Sequence, residues 1–272
     1  MKIDKETFEK YVPAFASPTE DLFLRISGFI AEVLEDLIIM VGDAWESVMD
    51  KPRFSSLAEK YVCRAAAYKA IPYLDLVATE TGFGVVSNQN VAPASAHRVN
   101  NLREDLRIGK SVALDLLLDF LMKNSDWGSS DEAKETVEAL VWCPTVARAC
   151  GITTIEGATV YQEEFETLLP NLMAAEAHLR ELISPELYDA LIARICTNKL
   201  EAPYTTMIVP ARHYIAFKQC NGSMATVWMK RILDLLDKHA DSLPEYKESA
   251  TYRARHSDNY QNKKEDGCFF FG

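Results

Sequence analysis

The chain has 272 residues, 48% of them hydrophobic and 25% charged, with 29 Lys and Arg against 40 Asp and Glu and a formal net charge of −11. This is ordinary globular usage, which excludes a disordered or fibrous chain and allows one large core or two smaller ones. The negative field repels phosphate backbones and no local basic patch offsets it, so specific nucleic-acid binding is not expected.

The opening residues, Met-Lys-Ile-Asp-Lys-Glu-Thr-Phe-Glu-Lys, are charged and lack the apolar centre of a signal peptide. Eleven Gly and 11 Pro supply little turn chemistry for an all-β protein, so helices are expected throughout. Ser17-Pro18-Thr19-Glu20 has the form of a capping box with Pro at the first helical position. It predicts a helix in which Leu22, Ile26, Phe29, Ile30, Val33 and Leu37 make one buried stripe ending near Gly42. The best apolar run, Leu37 to Gly42, is far shorter than a membrane span.

Ser56-Leu57-Ala58-Glu59 reads as a second capping box, opening a helix through Cys63, Ala66, Ala67 and Ala70 that stops before Pro72. Residues 75–92 break the helical period, with β-branched residues on either side of Gly82-Phe83-Gly84, and predict a short extended or hairpin segment. Helix resumes after Pro93-Ala94-Ser95 and continues to about Lys123, with Gly109 a possible bend. Trp127-Gly128-Ser129-Ser130 is expected to be a loop, followed by a helix over Ala133 to Val141 that Pro144 stops. Residues 144–160 read as irregular.

Thr159 with Gln162 is expected to cap a helix carrying Phe165, Leu168, Leu172, Leu179 and Leu182. Ser184-Pro185-Glu186-Leu187 starts another. Thr205 to Val209 is a short extended candidate, Pro210 begins a further helix, and Val227, Ile232, Leu235 and Leu236 face inward in the last, which ends near Leu243-Pro244. The body is therefore 1–244, with a faint echo of one helical arrangement in residues 12–123 and 160–240. From Glu245 the apolar period disappears, and 245–272 reads as a flexible C-terminal tail carrying Tyr252 and Tyr260 and ending in Phe269-Phe270-Phe271.

Motifs for catalysis are absent: there is no phosphate loop, nucleophile elbow or paired-histidine zinc helix. The six cysteines, Cys63, Cys143, Cys150, Cys196, Cys220 and Cys268, contain no C-x-x-C pair and read as reduced thiols. Trp142-Cys143-Pro144 with Cys150 has the wrong spacing for a zinc deaminase segment and lacks its H-x-E. Gly82-Phe83-Gly84 lacks the third glycine of a dinucleotide loop. No cofactor, metal or catalytic residue is expected, and carboxylate pairs such as Glu163-Glu164 read as solvated helix faces.

Two features suit interaction instead. Gly82, Phe83, Gly84, Val85, Val86, Ser87 and Asn88 form an extended stretch that offers backbone groups to a neighbouring strand. The tail, through Tyr252, Tyr260, Phe269, Phe270 and Phe271, offers aromatic anchors that can order on a partner. An ordinary internal hairpin, and a tail without a role, are the competing readings.

The run from Leu76-Val77 through Thr81-Gly82-Phe83-Gly84-Val85-Val86-Ser87-Asn88, with Val91-Ala92-Pro93-Ala94-Ser95 and Arg98-Val99, resembles the signature of an uncharacterised protein family of Bacteroides phages and prophages. About 25 residues carry the resemblance. It implies a virion structural protein, a head–tail connector or adaptor: a homo-oligomeric ring that binds the portal and tail or head-completion proteins, lets DNA pass without recognising it, and is assembled in the host cytoplasm. A length of 272 residues is large for the simplest adaptors. The other readings left open are an intracellular regulatory binding protein and an enzyme with an acidic site built from dispersed residues.

Overall fold

A computed structural model describes residues 1–18, 20–74, 76–79, 82–85, 95–124, 126–137, 139–152, 159–220 and 222–257. The fold is mainly α, as the apolar periodicity predicts. The first helix, α1 (Lys5–Tyr11), is capped by Asp4, whose carboxylate accepts from the Thr7 amide at 2.9 Å, and it buries Phe8 edge-on to Phe15 at 5.9 Å. Periodicity does not reveal α1, because about two turns with a single buried apolar anchor show no repeat.

The second helix, α2 (Asp21–Val41), buries Ile26, Ile30, Val33 and Leu37 and ends at Gly42, whose φ of 57° suits a residue without Cβ. Its start is corrected: Ser17 lies ahead of the helix, where its amide donates to Glu9 at 3.1 Å, and the N-cap is Glu20. A short turn, α3 (Trp45–Val48), leads into α4 (Pro52–Leu74). Pro52 begins α4, so Ser56 is inside the helix and caps nothing.

Pro72 does not stop α4 either. Near a C-terminus a proline forfeits one bond, and the guanidinium of Arg25 on α2 supplies partners there, donating to the Tyr73 and Leu74 carbonyls at 3.0 and 3.1 Å. Two short strands follow, β1 (Leu76–Thr79) and β2 (Gly82–Val85), paired antiparallel with Leu76 opposite Val85 and Thr79 opposite Gly82. Helix α5 (Ala96–Asn124) then returns along α4. Tyr68 meets Arg103 and Lys110 while Phe54 meets Phe120, so the two helices are antiparallel. At Gly109 a Cβ would lie 1.7 Å from the Arg64 guanidinium, so the glycine admits a crossing side chain.

Trp127 sits in a 3-10 turn, Asp126–Ser129; it is buried, and its indole donates to the Met40 carbonyl at 3.0 Å. This turn was expected to be a loop. Helix α6 (Asp131–Val137) ends earlier than Pro144, and Pro144 begins α7 (Pro144–Ala149) in a stretch expected to be irregular.

Helix α8 (Gln162–Ile183) is capped from Tyr161, whose amide donates to Glu164 at 3.0 Å, two residues after the expected Thr159. Helix α9 (Pro185–Cys196) starts where expected: the Ser184 hydroxyl accepts from the Leu187 amide at 3.2 Å. The extended candidate at 205–209 lies inside α10 (Tyr204–Cys220), which continues through Pro210 and buries Met207 and Ile208. Burial overrides the local β-preference of its threonines and branched residues. Helix α11 (Gly222–His239) packs back on α10, with Trp228 against His213 at 4.4 Å between ring centres.

The helical body runs past Pro244 in α12 (Pro244–Lys247) and α13 (Ala250–Arg255). Tyr246 is fully buried, and the Arg194 guanidinium stacks 3.7 Å over the Tyr204 ring while pairing with Glu245 at 3.1 Å. The helices therefore continue to Arg255, past the expected boundary at 244. These short helices escape periodicity because their one-turn anchors are scattered. Buried side chains from Ile3 to Tyr246 form one continuous cluster.

Candidate interaction sites

The α4–α5 pair ends in an arm. Helix α5 has 29 residues and so extends about 44 Å. From Ala96 to Asp105 most of its side chains are exposed, and in the chain the β1–β2 hairpin comes before them. Among the described elements the two strands pair with each other and make no extended contact with any helix. An isolated two-stranded hairpin is marginal in water, and each strand turns alternate amides and carbonyls away from its partner. Among the described residues neither outer edge is paired, and such an edge is a template for a further strand.

At the base of the arm Tyr73 is 60% exposed although it stacks on Phe29, and Leu24 is 63% exposed. Arg25 fixes this corner through its bonds to the end of α4. The arm is thus held at its root by α2, with large apolar side chains in solvent around that root.

A second surface lies on the other half of the body, where α8 and α9 face the turn at Trp127. It is an open cavity of about 730 Å³ with Gly128, Met173, Tyr188, Ile192 and Ala193 among its walls. Gly128 is required there: a Cβ would stand 1.9 Å from the Cys196 carbonyl oxygen. At the rim, Arg180 and Asp189 form a two-bond pair at 3.1 and 3.3 Å, and Lys134 pairs with Asp131 at 2.6 Å.

Behind this cavity is a buried polar centre. The Glu176 carboxylate accepts from the Leu140 amide and from the Tyr188 hydroxyl, the latter at 2.8 Å, while Arg212 donates to the Leu140 carbonyl at 2.8 Å. Burial pushes the Glu176 carboxyl above its ordinary range, and the two hydrogen bonds and Arg212 oppose that shift. A parallel case is Asp115, raised by burial although Arg148 and Thr145 donate to it at 3.0 and 3.2 Å. Arg148 also donates to the Val160 carbonyl at 2.7 Å and, like Arg107, lies over the Tyr161 ring, 5.7 Å from its centre. Each raised carboxylate is thus held by partners that join distant parts of the chain, which is a packing role. Among the described residues no three His, Cys, Asp or Glu side chains gather to hold a metal ion, and no helix is long and apolar enough to cross a membrane.

Of the residues singled out in the sequence, Gly82, Phe83, Gly84 and Val85 form β2, while Val86, Ser87 and Asn88 lie outside the described residues. Tyr252 is in α13, edge-on to Tyr246 at 5.3 Å and stacked on His256 at 4.0 Å, so it is engaged within the chain. Tyr260, Phe269, Phe270 and Phe271 lie outside the described residues. Sequence reading did not find the cavity, since its walls come from three separate segments; only the Ser184 corner that sets α9 against α8 was legible.

Residues 55–137 and 208–256 match the model of a family of unknown function, DUF6712. The first stretch takes in most of α4, the hairpin, α5 and α6, and the second runs from α10 through α13. No curated protein and no solved structure matches the chain.

Proposed function

We propose that this chain is a structural subunit that acts by assembling with other proteins, and that the assembly is the head–tail connector of a bacteriophage. The observation that carries the assembly reading is the β1–β2 hairpin, which among the described residues is a two-stranded sheet with no extended helix contact, between α4 and the 29-residue α5. Strand addition from a neighbour would complete a sheet that is otherwise below the size for independent stability. The connector reading rests further on the resemblance carried by Thr81 to Asn88 and Val91 to Ser95.

On this reading the partners are copies of the same chain in a ring, the portal, and tail or head-completion proteins. The subunit folds in the host cytoplasm and ends in the virion. DNA passes the ring without base recognition, in keeping with the charge of −11. Glu176, the raised carboxylate nearest the cavity, stands behind Tyr188 and is not among the cavity-lining residues, which favours binding over acid–base chemistry.

The test is the mass in solution, by light scattering, of the full chain alone and with the portal from the same genome. It is repeated for a variant with residues 75–94 replaced by a Gly/Ser linker of equal length. A ring or portal complex that the linker variant fails to form, while its helical circular dichroism is unchanged, supports the reading. A full chain that stays monomeric and ignores the portal contradicts it and favours a regulatory binder.

A further inference from the structure

We infer that the cavity between α8, α9 and the Trp127 turn is the docking site for the aromatic segment Phe269–Phe271 of the same chain. This goes beyond the arm and does not depend on it.

The cavity, at about 730 Å³, is within the range of roughly 300–1,000 Å³ typical of sites that bury a compact apolar ligand. Its floor is apolar, with Ile192, Ala193 and a Met173 that is 58% exposed. Methionine sulfur and the Arg180 guanidinium are both favourable neighbours for aromatic rings. The rim carries both signs of charge, Lys134 and Arg180 on one hand and Asp189 on the other.

The sequence Lys263-Lys264-Glu265-Asp266-Gly267-Cys268-Phe269-Phe270-Phe271 matches those features in kind. Three successive rings are costly to leave in water, and the two acids and two lysines before them can join the Arg180–Asp189 and Lys134–Asp131 pairs already at the rim as a charge network. The reach is sufficient. Glu245 of α12 already holds Arg194 of α9, the helix that forms one wall, and α13 packs on α8. Helix α9 has 12 residues and is about 18 Å long, whereas the chain from Ser257 to Phe269 can extend about 40 Å. Tethering raises the effective concentration of such a segment to about the millimolar range, so a modest intrinsic affinity keeps it docked.

Two cysteines provide the readout. Cys196 lines the cavity, and Cys268 immediately precedes Phe269. Cys63, Cys143 and Cys150 are buried and compete little. The experiment exposes the dilute full-length chain briefly to copper(II)-phenanthroline, which takes up the two electrons released as two thiols lose their protons and join. The bonded peptides are then mapped by mass spectrometry under non-reducing conditions. A Met173→Cys variant offers a second trap on the opposite wall.

The expected result is a disulfide from Cys268 to Cys196, or to the new thiol at position 173, within single chains. Its yield should fall at least tenfold when Phe269→Ser, Phe270→Ser and Phe271→Ser are combined. The inference is overturned if Cys268 bonds to neither site, if it bonds only between chains, or if the triple variant gives the same yield.

Discussion

The Tyr188 hydroxyl, at the edge of the α8–α9 cavity, donates at 2.8 Å to the buried carboxylate of Glu176, which also accepts from the Leu140 amide. One acidic side chain therefore ties α9 to α8 and to the segment before α7. Replacing it with Ala leaves a buried amide without its acceptor, and Glu176→Ala is expected to cost about 2 kcal/mol in urea unfolding.

Because burial raises the Glu176 pKa above its ordinary 4.5, the folded state holds a proton that the unfolded chain has already released. Its contribution is complete below pH 4.5 and is lost as pH rises through the folded-state value. Glu176→Gln keeps an acceptor and has no charge to bury, so its stability should be at least that of the parent at pH 7 and flatter with pH above 4.5. Thermal melts from pH 4 to 8 check this, and a steeper loss in the Gln variant as pH rises would contradict it.

Gly128 has no room for a methyl group beside the Cys196 carbonyl. Gly128→Ala should destabilise the fold by about 2 kcal/mol or more, seen as a lower urea midpoint, because the obstacle is backbone that cannot step aside.

The helices continue to Arg255, so two truncations should differ sharply. A chain ending at Ser257 keeps Tyr246 and Glu245 and folds, losing no more than docking of the removed segment contributes. One ending at Leu243 loses the fully buried Tyr246 and the Glu245 partner of Arg194, and it melts well below the parent. Tyr246→Ala alone should cost about 3–5 kcal/mol, the range for deleting a buried aromatic ring.

Much of the fold was legible because α2, α5 and α9 each show their buried stripe or cap within one stretch of chain; in α11 Ile232 and Leu236 are buried as expected, but Val227, expected inward, is 58% exposed and Ala225 is buried instead. The misreadings share a cause. Pro72 and Pro210 look like helix boundaries, yet α4 is completed by Arg25 from another helix and α10 is held by the burial of Met207 and Ile208. Such partners are distant in sequence, so no local window reports them. The hairpin was visible in the β-branched residues around Gly82, but not that, among the described residues, it has no extended contact with a helix. The cavity behind Tyr188 depends on three segments meeting and left no local trace.

Thiol chemistry offers an independent check on the core. Burial raises the Cys63 thiol to about 12 and the Cys143 thiol to about 11. Both should resist a disulfide reagent in the native protein even at pH 9 and react at once in urea. Rapid native labelling of either would mean that α4 or the start of α7 is not packed as described.

The most direct measurement of the central claim is hydrogen exchange of the amides in 76–79 and 82–85, in the free subunit and in the assembled complex. An unsupported hairpin exchanges close to the rate of an open chain, and a strand added to either edge protects it. Fast exchange that slows at least tenfold on assembly is the predicted result; protection that is the same in both states would contradict the claim that the arm is where the subunits join.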